Sequence, residues 1–177
     1  MSRTNGRRQA WASGLLALGL LAGACSDDGG GGTRTVTAKD YEFEDLPSSV
    51  KAGTKLVLTN ASTKEVHELV AMRLADTEKR SADELVKLPE DQLEALFTGP
   101  PAMVLAAPPG GVPQIAAVGD GTLAEKGRYL VLCFIPTGAD PGAYLKAAQA
   151  AGNGPPPQVA GGPPHAAQGM YGQITVR

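Results

Sequence analysis

The segment from Gly127 to Arg177 constrains the fold most, because it combines two strand patterns with three chemically soft side chains. An apolar run typical of a buried strand ends near Cys133. His165 and Met170 lie in a Gly/Pro-rich stretch just before a final alternating strand. The pattern therefore predicts a β protein in which the ends of these two strands meet.

The chain has one other histidine, His67, near the start of another apolar strand. A thiolate, two imidazoles and a long axial thioether suit copper in both of its oxidation states. Zinc also accepts two histidines and a cysteine, but methionine is a poor zinc ligand. A cysteine hydrolase would pair Cys133 with one of the histidines, yet the sequence has no nucleophile-elbow motif.

Each of these residues also has an ordinary structural explanation. A free cysteine such as Cys133 is often a buried small hydrophobe, and a methionine such as Met170 often fills gaps in a core. A lone histidine such as His67 is more often a hydrogen-bonded core residue than a ligand. The four residues taken together, in this order, favour a metal site with His67, Cys133 and His165 in one plane and Met170 as the axial ligand.

The N-terminus has the pattern of a bacterial export signal. Three arginines precede an apolar run that is too short to span a bilayer comfortably. Small residues then lead to Cys25, as in a lipobox. We predict a lipoprotein signal peptide over residues 1–24 and lipidation of Cys25. The alternative is an ordinary signal peptide cut after Ala24, which would leave a free thiol.

The predicted anchor places the protein in the cell envelope, outside the cytoplasm and attached to the membrane through Cys25. Residues 25–32 are rich in Asp and Gly and are predicted to be a flexible tether before a single domain over residues 33–177. With Cys25 lipidated, Cys133 has no disulfide partner within the chain. The formal net charge of −2 and a mildly acidic domain argue against nucleic acid as a partner.

The high content of glycine (23) and proline (14) favours a loop-rich β protein. Alternating or apolar runs predict further strands over residues 33–38, 41–44, 55–59 and 66–72, with a turn at Gly53.

Two insertions, at about residues 75–126 and 137–164, interrupt this β pattern. In the first, a capping box from Ser81 to Glu84 predicts a short helix through Leu88. A second helix is predicted over residues 90–97 and an apolar loop over residues 102–113. We expect these helices to block a sheet edge, and the alternative is that they cover the mouth of the metal site. In the second insertion, Asp140 is expected to cap a helix that begins at Pro141.

Two stretches resemble the cupredoxin family, in particular domains of the plastocyanin type. The stretch YEFEDLPSSVKAGTKLVLTNASTKEVHELVAM is similar to the first half of such a domain, where an Asn-ending strand leads to the first copper-ligand histidine. The stretch GRYLVLCFIP, followed after the insertion by PHAAQGMYGQITV, is similar to the last two strands. The resemblance covers roughly residues 33–73 and 127–177. It differs in the long insertion before His165 and in Glu68, where the family commonly has asparagine.

The resemblance implies a mainly β, Greek-key, cupredoxin-like β-sandwich with a type 1 copper ion held by His67, Cys133, His165 and Met170. It further implies one-electron transfer to another envelope protein, with no enzymatic turnover and no small-molecule substrate. We expect a monomer. The alternatives are a copper-free cupredoxin fold that serves as an envelope binding module, and copper delivery or buffering.

Overall fold

The computed structural model describes residues 31–151 and 157–177, which form two β-sheets with three short α-helices outside them. The ten strands are β1 (Thr33–Lys39), β2 (Glu42–Glu44), β3 (Ser49–Val50), β4 (Thr54–Asn60), β5 (His67–Arg73), β6 (Met103–Ala107), β7 (Ile115–Val118), β8 (Thr122–Leu123), β9 (Gly127–Leu132) and β10 (Tyr171–Val176). The predicted fold class, a mainly β sandwich with helical insertions, is confirmed.

The smaller sheet has four strands in the order β2-β1-β4-β8. Strands β1 and β4 run parallel, with Val36 opposite Leu58. The larger sheet has six strands in the order β3-β10-β9-β5-β6-β7. Its centre is antiparallel, and β9 lies between β10 and β5. The chain crosses between the sheets after β2, β3, β4, β7 and β8, so neither sheet can form from one continuous stretch of sequence.

The interior between the sheets follows from the alternation of side chains along each strand. Burial alternates along β4 and along the second half of β1, so Val36, Ala38, Leu56 and Leu58 all lie on the interior face. The facing residues are Val36, Ala38, Leu56 and Leu58 from the smaller sheet, and Leu69, Ala71, Leu105, Val131 and Ile174 from the larger one. Cys133 and Met170 belong to this same buried cluster.

Helices α1 (Ala82–Leu85) and α2 (Glu90–Glu94) lie in the first insertion. The predicted capping box is present, with both Ser81 and Glu84 contributing. Their apolar residues pack on Leu130 and Leu132 of β9. The helices therefore cover the outer face of the larger sheet instead of a sheet edge, and β9 is buried on both faces.

The prediction of a loop over residues 102–113 was wrong, because Met103–Ala107 forms strand β6 and pairs with β5. The run is apolar and lies between prolines, and it is buried against its neighbours. The first insertion thus contributes three strands as well as two helices.

The second insertion contains helix α3 (Pro141–Ala151). The Asp140 side chain caps it as predicted, since Asp140 Oδ1 accepts the Ala143 N–H at 2.7 Å. Tyr144, Leu145 and Ala148 share a face and pack against the interior cluster. The helix therefore rests on the sandwich instead of projecting from it.

The predicted signal peptide over residues 1–24, and Cys25 itself, lie outside the described residues. Within the part of the chain that the structure describes, no helix has both the length and the apolar character needed to cross a bilayer.

A charged cluster in the loop before α1 predicts a specific loss of stability in acid. Glu78 accepts hydrogen bonds from the Arg80 side chain at 3.0 and 2.6 Å, which lower the pKa of the carboxyl to about 2. Because this pKa lies below its unfolded value, the stabilisation is complete above about pH 4.5 and is lost between about pH 4.5 and 2. We expect Glu78→Gln to lower the melting temperature at pH 7 but not at pH 2.

Thermal unfolding of both proteins across this pH range measures the effect. The control is Glu90→Gln, which removes the same charge from an exposed position on α2. If the difference in melting temperature between the wild type and Glu78→Gln stayed constant down to pH 2, the ion pair between Glu78 and Arg80 would not explain it.

Candidate metal centre

The candidate centre lies at the end of the sandwich where β5 begins and β9 ends. His67 is the first residue of β5, and its neighbour in the sheet is Ala107 at the end of β6. Cys133 directly follows β9. Alternation along β5 places His67 on the same face as Leu69 and Ala71, which is the interior face. Two adjacent strands therefore deliver an imidazole and a thiol to one buried point.

His165 reaches the same point because the second insertion is closed at its base. Pro136 and Pro164 form an antiparallel bridge, and the Thr137 N–H donates to the Pro163 carbonyl at 3.0 Å. Directly beyond this bridge, the His165 N–H donates to the Ile135 carbonyl at 2.9 Å. The insertion thus leaves the chain as a closed loop, and the distance in sequence between Cys133 and His165 does not separate them in space.

The structure brings three of the predicted ligand residues into contact. His165 Nδ1 lies 3.1 Å from His67 Nδ1 and 3.3 Å from Cys133 Sγ. Each of the three residues offers one ligand atom, and these three atoms all lie within 4.8 Å of one another. All three residues are 0% exposed, so water is excluded from the point at which they meet.

Met170 is fully buried and belongs to the same apolar cluster as Cys133. Its backbone connects the other two segments, because the Met170 N–H donates to the His165 carbonyl and its carbonyl accepts the Cys133 N–H. Gly169, with φ of 117°, provides the left-handed turn between the 3₁₀ turn His165–Gln168 and this methionine. The backbone therefore holds Met170 beside the three converging residues, and its axial role stays a prediction.

Burial sets the protonation states of these groups. Burial raises the pKa of the Cys133 thiol, and the nearby Glu68 carboxylate raises it further. Burial lowers the pKa of His165 to about 4, with a further contribution from His67. Burial also lowers the pKa of His67, while Asp40 opposes that shift. At neutral pH the metal-free centre therefore contains a thiol and two neutral imidazoles, each with one free lone pair.

Glu68 is a buried carboxylate that connects the centre to helix α3. Its Oε1 accepts the Phe134 N–H at 3.1 Å, and its Oε2 accepts the Tyr144 hydroxyl at 2.7 Å. Its own N–H points to Cys133 Sγ at 3.4 Å. Burial raises the pKa of Glu68, and the two hydrogen bonds to its carboxylate oppose that shift. Glu68 therefore fixes the segment that carries Cys133 to the strand that carries His67.

This contact predicts a measurable cost for removing one hydroxyl group. Tyr144 is 3% exposed, so Tyr144→Phe leaves a buried carboxylate oxygen without its donor. We expect a loss of about 1–3 kcal/mol of unfolding free energy, the range for a buried acceptor that loses its donor. Urea unfolding measures it.

The matched control is Tyr171→Phe, which removes a hydroxyl that donates to Asp83 at 2.8 Å in an exposed position. Its loss should be smaller, because water replaces the missing donor. Equal losses of unfolding free energy in the two variants would show that burial does not strengthen the contact between Tyr144 and Glu68.

Two residues near the centre were not identified from the sequence. Asp40 Oδ1 lies 2.9 Å from His67 Nε2, and Glu65 Oε2 lies 3.6 Å from His165 Nε2. Asp40 follows β1 and Glu65 lies in the loop before β5, so both looked like ordinary polar connections. The only sequence signal is that Glu65 lies two residues before a candidate ligand.

The sequence matches no known family description and no curated protein. Among solved structures, dithionite-reduced auracyanin from Roseiflexus castenholzii is 18% identical, with a TM-score of 0.43 and an alignment over 83% of this chain and 97% of that one. Auracyanin A, described as a "blue" copper protein from Chloroflexus aurantiacus, is 16% identical, with a TM-score of 0.39 over 82% of this chain and 98% of that one. At these identities and TM-scores, neither structure assigns a role to this chain.

The sheets and the candidate metal centre agree with the family resemblance seen in the sequence. The two sheets pack face to face, and the closed insertion returns His165 to Cys133 and His67. Met170 then leads directly into the last strand of the larger sheet. This strand arrangement and this group of buried soft donors are those that the resemblance to the cupredoxin family implies.

Proposed function

We propose that the protein binds one copper ion in this centre and transfers single electrons. The observation that supports the proposal is the convergence of His67, Cys133 and His165 at a point that no water reaches. Two imidazoles and a thiolate are the equatorial donors of blue-copper sites, with a methionine as the weak axial donor. Met170 is the candidate for that position.

The residues fit the ion in charge as well as in type. The two Nδ1 atoms lie 3.1 Å apart, and a cation bound to both would be stabilised by two neutral imidazoles. Bound copper would supply a one-electron couple between its cuprous and cupric states. His67 and His165 would each bind through Nδ1. Cys133 would lose its proton on binding, since the thiolate is the form that binds metal.

Burial of the centre favours electron transfer over copper delivery. A delivery site must exchange its ion easily, whereas His67, Cys133 and His165 are all 0% exposed. Their buried and packed surroundings also limit rearrangement when the ion changes charge, which benefits electron transfer. A copper-free binding module is less well supported, because such a module has no need for three buried donors that converge.

A partner would dock near the end of the sandwich that holds the centre. Phe134 follows Cys133 directly and is 37% exposed, and Val112 is 54% exposed in the hairpin that continues from β6. We propose that these apolar residues form part of a small and short-lived contact with an envelope redox protein. We also propose that Cys25 carries the lipid that holds the domain at the membrane.

The test is a copper titration of the full chain, kept reduced until Cu(II) is added. We expect one equivalent of copper to give an intense blue or green band from thiolate-to-copper charge transfer. A slow loss of this colour to a chelator would support electron transfer, whereas rapid loss would favour delivery. A colourless protein with an unchanged melting temperature would exclude copper as the ligand.

A further inference from the structure

The two imidazoles in the centre use their ring nitrogens in the same way. Each ring presents Nδ1 to the other ring, and each presents Nε2 to a carboxylate. His67 Nε2 lies 2.9 Å from Asp40, and His165 Nε2 lies 3.6 Å from Glu65. The carboxylates thus lie at the two outer ends of one chain of polar atoms that passes through the centre.

Counting protons along this chain shows what the carboxylates require. Along the chain there are three contacts, namely Asp40 to His67, His67 to His165, and His165 to Glu65. The Cys133 thiol lies beside the chain, with Sγ 3.3 Å from His165 Nδ1, and its proton belongs to none of these three contacts. Two neutral imidazoles supply only two protons, and an ionised carboxylate supplies none. One contact must therefore lack a proton. If both protons lie on Nε2, the contact without a proton is the one between the two Nδ1 atoms.

Hydrogen bonds hold the Glu65 carboxylate beside His165 Nε2. Its Oε1 accepts the Gly138 N–H at 3.2 Å and the Tyr41 hydroxyl at 3.4 Å. Its Oε2 is buried and has no hydrogen-bond partner among the described residues, and the same holds for His165 Nε2. The Tyr41 ring lies against the His165 ring, with centroids 4.7 Å apart. Two buried polar atoms without hydrogen-bond partners therefore lie 3.6 Å apart, and a proton on Nε2 would give the carboxylate oxygen an electrostatic partner.

We propose that Asp40 and Glu65 are positioning residues, which hold His67 and His165 as Nε2–H tautomers so that both Nδ1 lone pairs face the centre. The negative charges of the two carboxylates also favour the divalent ion over the monovalent one. A histidine ligand that donates its outer N–H to a carboxylate becomes a more basic ligand. The preference for the divalent ion rests on the proposed copper function, whereas the tautomers are a property of the metal-free protein.

The first experiment therefore uses the full chain without metal. Long-range ¹H–¹⁵N correlation spectra distinguish an Nε2–H imidazole from an Nδ1–H imidazole at neutral pH. We expect the Nε2–H form at both histidines in the wild type, and a mixture of forms at His165 in Glu65→Gln. A wild-type His165 protonated at Nδ1 would overturn the assignment of Glu65.

The second experiment measures copper binding in Asp40→Asn and Glu65→Gln, which preserve side-chain size. We expect each variant to bind Cu(II) about 10- to 100-fold more weakly, the range for partners of metal-ligating histidines. The reduction potential should rise, by about 59 mV for each tenfold loss of preference for the divalent ion. The control is Glu125→Gln, which removes a charge between β8 and β9 at the opposite end of the sandwich.

The outcomes separate the two proposals. If the wild type forms the blue centre but both variants keep its affinity and potential, the positioning role is wrong and the copper function stands. If the wild type has both Nε2–H tautomers but binds no copper, the copper function is wrong and the positioning role stands. Equal effects in Glu125→Gln would mean that net charge alone is responsible, which would overturn the positioning role.

Discussion

Replacement of Cys133 by alanine is expected to abolish the visible absorption band that copper gives with the wild-type protein. The band requires a sulfur-to-copper bond, and Cys133 is the one free cysteine of the described residues. Its sulfur lies 3.3 Å from His165 Nδ1, in contact with the other candidate ligands. The two imidazoles remain in Cys133→Ala, so weak and colourless copper binding should persist. Optical titration and paramagnetic resonance measure the change.

The control for this variant must separate the loss of a ligand from the loss of packing. Val131 is also 0% exposed and lies on β9 two residues before Cys133, on the same face of the strand. Val131→Ala should be less stable than the wild type but should keep the coloured centre. A coloured Cys133→Ala protein would remove Cys133 from the centre and with it the proposed function.

Replacement of Leu69 by alanine is expected to cost about 2–5 kcal/mol of unfolding free energy, the range for large-to-small changes in packed cores. Leu69 is 0% exposed and lies on β5 two residues after His67, opposite Leu105 of β6. The cavity would open between the two sheets, where neighbouring strands are held by backbone hydrogen bonds and cannot move closer to fill it. Urea unfolding of the metal-free protein measures the loss.

The comparison for Leu69→Ala is Val112→Ala, because Val112 is 54% exposed. Its effect should stay within about 0.5 kcal/mol, as for most surface changes. A loss below about 1 kcal/mol in Leu69→Ala would mean that the space between the sheets is loosely packed. The two predictions are independent, since one concerns a metal bond and the other apolar packing.

The strands of the two halves that resemble cupredoxins could be predicted, because their patterns are local. Alternation along β1 and β4, the Ser81 capping box and the Asp140 cap depend on neighbours in sequence. Strand β6 was missed because its apolar residues do not alternate. They do not need to, since the strand lies inside the larger sheet between β5 and β7.

The ligand residues were easier to predict than the residues around them. His67, Cys133, His165 and Met170 have rare chemistry and a characteristic order, so their types alone suggested a site. Asp40 and Glu65 are common surface residues whose role depends on where two loops meet in space. The cover that α1 and α2 give to β9 likewise depends on tertiary packing, because an amphipathic helix does not encode which surface it meets.

The closed base of the second insertion also determines when the protein can acquire a metal ion. Cys133 and His165 become neighbours only when Pro136 pairs with Pro164, and His67 joins them only when β5 has paired with β9. An unfolded chain therefore has scattered candidate ligands and no site, so an ion bound at this centre would favour the folded form. Copper at a hundred times its dissociation constant would then add about 2.7 kcal/mol to stability. Colour in a sample of this protein would accordingly report the fraction of molecules that have completed folding.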